Sequence, residues 1–349
     1  MTPPVAVVVV NWNGRRYLER CLSGLLAQSY PNVEPVLVDN GSTDGSVDLV
    51  RERFPEVRLI QSPTNLGFAA ANNLAFWATD TPYVATLNND TELTPGWLAA
   101  LVQAMDGDER VGMCASKMLF FGDPGTINST GVCMDAAGIA WDRRGGEPDS
   151  PDEIAPVEVF GACAGAALYR REMLLDVALP PAPGARERRL QFFDEDYFAY
   201  LEDVDLAWRA QLAGWRCLYV PAARLYHVHS GTLQEGSPFK NFLLARNKLW
   251  TIVKNYPTRQ LVRALPAILF YDLGTIPYTL LVRGDASALK GRLAALRALR
   301  PVLARRRYVQ QRWSSNQTWT SHLAPLQGPL AVLRRYAHLR QLTHGSGDP

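Results

Sequence analysis

Apolar positions near the start of the chain fall into two alternating spacings. Val5–Val10 is an unbroken apolar run with valine at five of its six positions, as expected of a strand buried on both faces. From Arg16 to Gln28 the spacing changes, and Leu18, Cys21, Leu22, Leu25 and Leu26 share one helical face. Pro35–Val38 reads as the next strand. The hexapeptide Asp39–Asp44 after it reads as a turn entering a helix, because Asp, Asn, Gly and Ser suit turns and N-caps. Val57–Gln61 is a third strand, Asn65–Asn73 opens a third helix, and Val84–Leu87 is a fourth strand. Strands alternating with helices predict an α/β fold around a largely parallel sheet.

Further along, Phe120–Pro156 is rich in Gly, Asp and Pro and predicts loops and short strands beside the sheet. Gly161–Ala167 is made mostly of Gly and Ala, which implies close backbone packing or a ligand passing nearby. A helix is expected over Glu202–Leu212 with Gly214 as its stop, then a strand over Arg216–Val220. After Pro238 the pattern is helical, dividing the chain into an α/β part (1–235) and a helical extension (236–349). Leu265–Val282 is mostly apolar, but Pro266, Asp272, Gly274 and Pro277 interrupt it, making it a poor transmembrane span. Ser287–Arg300 places Leu289, Leu293, Leu296 and Leu299 on one face with basic residues off it. Such a helix packs on a core or lies in a membrane interface.

Charge sharpens that division. The net charge of +2 conceals a balance of +11 after Asn255, from 14 Lys/Arg against Asp272, Asp285 and Asp348, leaving −9 for the rest. A basic tail behind an acidic α/β part predicts peripheral attachment to the anionic inner face of a membrane. A dimer interface is the competing use of these helices. No zinc pattern, RNP-like motif or aromatic platform accompanies the basic tail, so nucleic acid is not expected. The five cysteines are scattered without metal spacing, the pattern of a cytoplasmic protein with reduced thiols. The N-terminal apolar run lacks a basic flank and reads as a strand rather than a signal peptide.

Two acidic constellations carry the candidate chemistry. Asn88-Asn89-Asp90 ends the fourth strand, and Glu202-Asp203 with Asp205 opens a helix. One carboxylate at a strand end can hold Mg2+ or Mn2+ beside phosphate oxygens, and a second can act as general base towards a hydroxyl. In open α/β sheets ligands bind at the carboxyl ends of strands, where Asn11, Trp12, Asp39, Asn65 and Asn88–Asp90 all fall. Local alternatives exist for each: Trp12 as core, Asp39 and Asn65 as turn residues, Glu202 as a salt-bridge partner of Arg209, and Asp205 as a helix cap. A dinucleotide-dependent oxidoreductase is disfavoured because Asn11-Trp-Asn-Gly14 is not G-x-G-x-x-G. A nucleotidyltransferase would want a Gly/Arg/Lys-rich first turn, and a nucleotide-sugar-binding protein without turnover would need Asp203 out of place.

Seven segments in order, Val7–Gly14, Val38–Asp44, Asn65–Asn73, Leu87–Leu93, Gly161–Glu172, Phe193–Arg209 with Gly214, and His227–Ser230, resemble the inverting glycosyltransferases of family 2. The likeness is greatest to their bacterial rhamnosyltransferase-type branch. That resemblance implies a GT-A fold, a nucleotide diphosphate sugar donor, and a glycan or lipid-linked acceptor in cell-surface polysaccharide synthesis. It puts Trp12 against the nucleotide base and Asp39 at the base's ring N–H. Asn11, Asn65, Gly67, Asn88 and Asn89 fall on the donor side. Asp90 stands alone at the family's D-x-D position, where Asn88 replaces the first acid, and is expected to hold the metal with His227 or neighbouring His229. Asp203 matches the catalytic base, with Glu202 on the acceptor side.

Overall fold

The structure is a computed structural model that describes residues 2–150, 152–181, 189–228, 236–312 and 318–345. Its first half follows the alternating pattern: β1 (Val5–Asn11), α1 (Arg15–Leu26), β2 (Val33–Asn40), α2 (Ser46–Arg53), β3 (Arg58–Ser62), α3 (Phe68–Ala78) and β4 (Tyr83–Asn88). The short β5 (Thr91–Leu93) follows, then α4 (Trp97–Asp106) and β6 (Val111–Phe120). Three short strands lie in the stretch expected to hold loops and short strands: β7 (Ile127–Ser129), β8 (Val132–Met134) and β9 (Ala140–Asp142). Next come β10 (Val157–Val159), β11 (Ala166–Arg170), α5 (Arg171–Asp176), α6 (Glu202–Ala213) and β12 (Arg216–His227).

Ten strands form one sheet whose main path is β10-β12-β6-β11-β4-β1-β2-β3. The run β4-β1-β2-β3 is parallel throughout. Beyond it the sheet is mixed, because β11 runs antiparallel to both β4 and β6. The valines of β1 alternate between two cores. Val5, Val7 and Val9 meet α1 and α4 through Leu22, Leu25, Trp97 and Leu101. Ala6 and Val8 face the opposite cluster, where α3 and α6 contribute Ala75, Phe76, Ala207 and Trp208. Burial on both faces is why the run is uniformly apolar rather than alternating.

Strand β12 continues seven residues past the expected end at Val220. It passes Pro221 through a register shift against β6 between Val220 and Arg224, and an irregularity is where proline is tolerated in a sheet. Its extension pairs His227 with Thr91 of β5, which brings the end of β12 beside Asp90. His229 and Ser230 lie outside the described residues.

The helical extension comprises α7 (Pro238–Asn255), α8 (Thr258–Pro277), α9 (Ser287–Arg297), α10 (Leu299–Gln311) and α11 (Pro329–Gly345). Two expectations need correction here. The prolines do not break α8, which runs on through a π-type turn at Tyr278–Val282; Thr258–Val282 is long and apolar enough to cross a membrane by length and composition. Its Asp272 is buried and pairs with Lys248 and Arg292, so this acid faces α7 and α9. Val262, Leu265, Leu269, Phe270 and Leu273 are exposed. In α9 the buried side is the small one, Ala288, Gly291 and Ala295, while Leu293 and Leu296 are exposed. A Cβ on Gly291 would strike the Phe242 carbonyl of α7, so close backbone approach selects the small face.

A buried ionic cluster ties the extension to the sheet domain. Lys254 of α7 pairs with Asp194 and with Asp205 of α6, Arg209 pairs with Asp205, and Arg305 of α10 pairs with Asp194. Burial works against the Asp194 charge, but Lys254 and Arg305 outweigh it and hold its pKa below the ordinary value. Removing one member of such a cluster strands a buried charge at a cost of about 3–5 kcal/mol.

Candidate active site

The carboxyl ends of β1, β2 and β4 meet in a net of side-chain amides. Asn11 is fully buried; its Nδ2 donates to Asp39 Oδ1 at 3.3 Å and Ser42 Oγ at 3.1 Å, and its Oδ1 accepts from Asn89 Nδ2 at 2.7 Å. Asp39 Oδ2 accepts from the Ser42 backbone N–H at 3.1 Å. Both residues sit behind the cavity wall, and the neighbouring Asn40 lines it. Asn40 in turn holds the next turn, donating to Asn65 Oδ1 at 3.0 Å and accepting from Leu66 N–H at 2.8 Å. Gly67 adopts φ +84°, and a Cβ there would collide with the Phe198 carbonyl and ring. Glycine is required on both counts.

Asp90 and His227 form a buried pair, with His227 Nε2 3.1 Å from Asp90 Oδ1. Val228 N–H donates to the Asp90 carbonyl at 3.0 Å, fixing the two ends together. On the far side of the ring Nδ1 lies 3.0 Å from Asn128 Oδ1, while Asn88 Nδ2 is 3.2 Å from Nε2. An amide oxygen against Nδ1 makes Nε2 the lone-pair nitrogen of the neutral imidazole, the usual arrangement behind a metal-binding histidine. Burial disfavours the imidazolium, but the Asp90 carboxylate outweighs it and raises the His227 pKa.

Across the cavity, Glu202 and Asp203 start α6. Asp203 Oδ1 accepts from Val204 N–H at 2.7 Å and Oδ2 from Ala164 N–H at 3.1 Å. The small residues of 161–165 permit this backbone approach, since a Cβ on Gly161 would strike Ala207 of α6. Burial pushes the Asp203 carboxyl up to about 6; the two N–H groups oppose that, and Asp142 adds to it. Glu202 is driven further up, by burial first and then by Asp203. Its Oε2 is buried without a hydrogen-bond partner. Arg209 pairs with Asp205 rather than Glu202, and Asp205 belongs to the buried ionic cluster rather than to a cap.

The segment leading into Glu202 is strained, with positive φ at Phe198 (64°), Tyr200 (70°) and Leu201 (66°). Each such residue costs about 1–3 kcal/mol unless its surroundings impose it. Here the fully buried Asn247 of α7 imposes it: its Nδ2 donates to the carbonyls of Tyr197, Ala199 and Tyr200 at 3.1, 2.9 and 2.8 Å. Arg246 adds bonds to the Asp196 and Tyr197 carbonyls, both at 2.9 Å.

One cavity of about 750 Å3 joins these parts. Trp12, Asn65, Gly67, Asn88, Asn89 and Asp90 line it, as do Glu202, Asp203 and His227. Sequence reasoning missed Trp141 and Asp142 of β9, Lys240 of α7, Arg335 of α11, and the supporting Asn128 and Asn247. Trp141 and Asp142 fall in a stretch whose composition signals loops and short strands but does not place any of them at the cavity. An Arg-Asn pair inside an amphipathic helix gives no local sign that it reaches another segment.

The sequence pattern described as Glycosyl transferase family 2 matches residues 6–177. An N-acetylglucosaminyl-diphospho-decaprenol L-rhamnosyltransferase of Mycobacterium tuberculosis is 31% identical over 255 residues, covering 65% of this chain and 76% of that one. Among solved structures, a mannosyltransferase of Pyrobaculum calidifontis in complex with GDP-Man and Mn2+ aligns with TM-score 0.52 at 19% identity, over 99% of this chain and 86% of that one. GalNAc-T7 with UDP, GalNAc and Mn2+ aligns with TM-score 0.58 at 16% identity, over 84% and 54% respectively. The structural likeness establishes the GT-A fold, and the sequence likeness reaches across most of the rhamnosyltransferase. The chain belongs to glycosyltransferase family 2.

Proposed function

We propose that the protein is an inverting, metal-dependent hexosyltransferase that moves a sugar from a nucleotide diphosphate donor to a hydroxyl of a glycan or lipid-linked acceptor during cell-surface polysaccharide synthesis. The observation that carries this reading is Asp203. It is a half-buried carboxylate with a raised pKa, sharing one cavity with the Asp90–His227 pair. The mycobacterial relative's name assigns it rhamnose transfer to a diphospho-decaprenol-linked sugar. Rhamnose and a lipid-linked acceptor are carried to this chain as part of the proposal.

In this reading Trp12, Asn65, Gly67, Asn88 and Asn89 contact the donor, and Asn11 and Asp39 hold the strand ends behind them. Asp90 and His227 would hold Mg2+ or Mn2+. Their donor atoms lie 3.1 Å apart with the ring oriented by Asn128, and two protein ligands suit an ion that keeps phosphate and water oxygens. When bound, the ion supplies neutralisation of charge on the departing diphosphate. Asp203 takes the acceptor hydroxyl's proton as the oxygen bonds to the anomeric carbon from the face opposite the diphosphate. The carbon–diphosphate bond breaks in that displacement, inverting the configuration and releasing nucleoside diphosphate. Glu202, beside Asp203 in the same cavity, stands on the acceptor side.

The exposed apolar stripe of α8 and the +11 balance after Asn255 support a peripheral seat for the helical extension, 236–349, on the inner face of a membrane. A panel of nucleotide sugars in a thermal-shift assay identifies the donor. Release of free nucleoside diphosphate upon acceptor addition then tests transfer. Stabilisation by a donor with no release under any acceptor leaves a binding protein and refutes the proposal.

A further inference from the structure

One carboxylate that lines the cavity has no part in the transfer step described above. Asp142 ends β9, and strand alternation turns it and Trp141 to opposite faces of the β8–β9 hairpin. Trp141 faces α11, where the Arg335 guanidinium stacks 4.1 Å from its ring centre. Asp142 shares its face with its register partner Val132, whose N–H donates to the Gly161 carbonyl at 2.8 Å. Three residues further on, Ala164 N–H holds Asp203. Segment 161–164 therefore anchors the approach to both carboxylates. The chain after Asp142 is tied back as well, by Arg143 N–H to the Gly131 carbonyl at 2.8 Å and Thr130 N–H to the Arg143 carbonyl at 3.1 Å.

Asp142 forms no ion pair among the described residues, and the Cys163 thiol hydrogen-bonds to it. Burial keeps that thiol protonated, so it donates one bond to a carboxylate with room for about four. Asp142 does not join Asp90 and His227 in a three-ligand group; among the described residues no three His, Cys or acidic side chains are placed to hold an ion together. Its charge is nevertheless felt at both Asp203 and His227, which sets it beside the place where acceptor and donor would meet. Glu202, only 5% exposed, adds a buried carboxyl oxygen without a partner to the same cavity, and such an atom calls for a donor from outside the chain. A cationic donor here would lower the Asp203 pKa and weaken it as a base, whereas a neutral hydroxyl would not. The hairpin also stands away from the residues assigned to the donor. Trp12, Asn65 and Gly67 follow β1 and β3, on one side of β4, and the hairpin follows β7, which pairs with β6 on the other side.

We propose that Asp142 determines acceptor specificity by accepting a hydrogen bond from the ring hydroxyl adjacent to the one that attacks. The acceptor is then a sugar with free hydroxyls on two neighbouring carbons, one turned to Asp203 and the next to Asp142. The assignment rests on the glycosyl-transfer reading of the same cavity and adds a hydroxyl pattern to it. A site built around a substrate hydroxyl discriminates against the analogue that lacks it, because its own polar group is left unpaired.

The test uses the full chain with the donor found by thermal shift, and methyl pyranosides with their monodeoxy analogues as acceptors. It is run at pH 8, where a carboxyl at about 6 is ionised with or without the Asp142 charge, so any effect passing through Asp203 drops out. Replacing the hydroxyl next to the attacking one by hydrogen should lower the wild-type acceptor kcat/KM about ten- to a hundredfold, as for a lost charged hydrogen bond. Asp142→Ala should lose the same factor with the parent glycoside and nothing further with that deoxy analogue. Asp142→Asn, which keeps one oxygen acceptor and the side chain's shape, should fall between them and guards against misfolding of the alanine variant. Donor affinity by calorimetry should hold in both. Losses that simply multiply for variant and deoxy acceptor, an unchanged kcat/KM in Asp142→Ala, or weakened donor binding overturns the proposal while nucleoside diphosphate release still supports transfer. Release to other acceptors but to no glycoside overturns it too, and no release to any acceptor refutes the transfer reading itself.

Discussion

The pKa of Asp203 makes a quantitative statement about rate. With its carboxyl at about 6, the base form of the free enzyme falls to about half at pH 6 and about one-tenth at pH 5, and kcat/KM should follow it. An ordinary aspartate near 3.9 would leave the rate almost flat over the same interval. The assay is nucleoside diphosphate release at subsaturating donor and acceptor from pH 5 to 8.5. Asp203→Asn removes the proton acceptor while keeping the shape, so kcat/KM should fall roughly 100- to 10,000-fold and the acid limb should vanish. Donor affinity by calorimetry should change little. Asp142→Asn should move the limb to lower pH, because Asp142 is one of the groups that raise Asp203. The linkage sign agrees with the activity sign. A carboxylate whose folded pKa is raised binds its proton more tightly in the folded state, so its contribution to stability declines as pH rises from about 4 to about 6. That slope should flatten in Asp203→Asn. A limb near pH 4, or a limb near 6 that survives in Asp203→Asn, would refute the assignment of Asp203 as base.

Three other outcomes are expected. Asp90→Ala should lower transfer by about 100-fold or more and abolish metal-dependent donor binding with the melting temperature retained; full activity in a chelator would sink the metal assignment. Asn247→Ala removes the side-chain donor from the Ala199 and Tyr200 carbonyls, while the Tyr197 carbonyl keeps Arg246, so it should cost about 1–3 kcal/mol of stability and lower kcat while donor affinity holds, and an unchanged kcat would show that the clamp does not position Asp203. Anionic vesicles should carry the wild-type protein in flotation, with binding weakened by salt at on the order of 1 kcal/mol per basic residue near the surface, and Leu269→Asp with Leu273→Asp should release it; no flotation at low salt rules the membrane seat out.

The parallel half of the sheet was legible because its signal is local. The valines of β1 serve two cores at once, and a strand covered on both faces has no polar alternation to confuse the pattern. The strand ends were legible for the same reason: Asn88–Asp90 interrupts an apolar run and Glu202–Asp203 opens a helix. What escaped depends on contacts far apart in sequence. Strand β11 is hidden in a run of small residues whose pairing with β4 and β6 decides its state. The outer half of β12 lies beyond a proline that reads as a strand end and survives only because the register shifts there. Helix α9 misleads for a different reason. Its leucine face is the stronger periodic signal, but the distance to α7 admits only Ala288, Gly291 and Ala295.

The two sides of the cavity are held in place by different means. The Asp90 side is fixed by sheet register, since β5 and β12 set Thr91 opposite His227 and amides of β1 and β4 lock the strand ends. The Asp203 side has no strand to fix it. It follows a segment with three left-handed residues, held by Asn247 and Arg246 of α7, and α6 itself is bonded to α7 through Asp205, Lys254 and Asn255. Rotation or withdrawal of α7 would therefore free the strained carbonyls and move Asp203 while leaving Asp90 and His227 where they are. Lys240, on the first turn of that same α7, also lines the cavity. One helix thus couples the strained approach to Asp203 with a cation at the cavity wall, and the extension that carries it shapes the cavity as much as the sheet does.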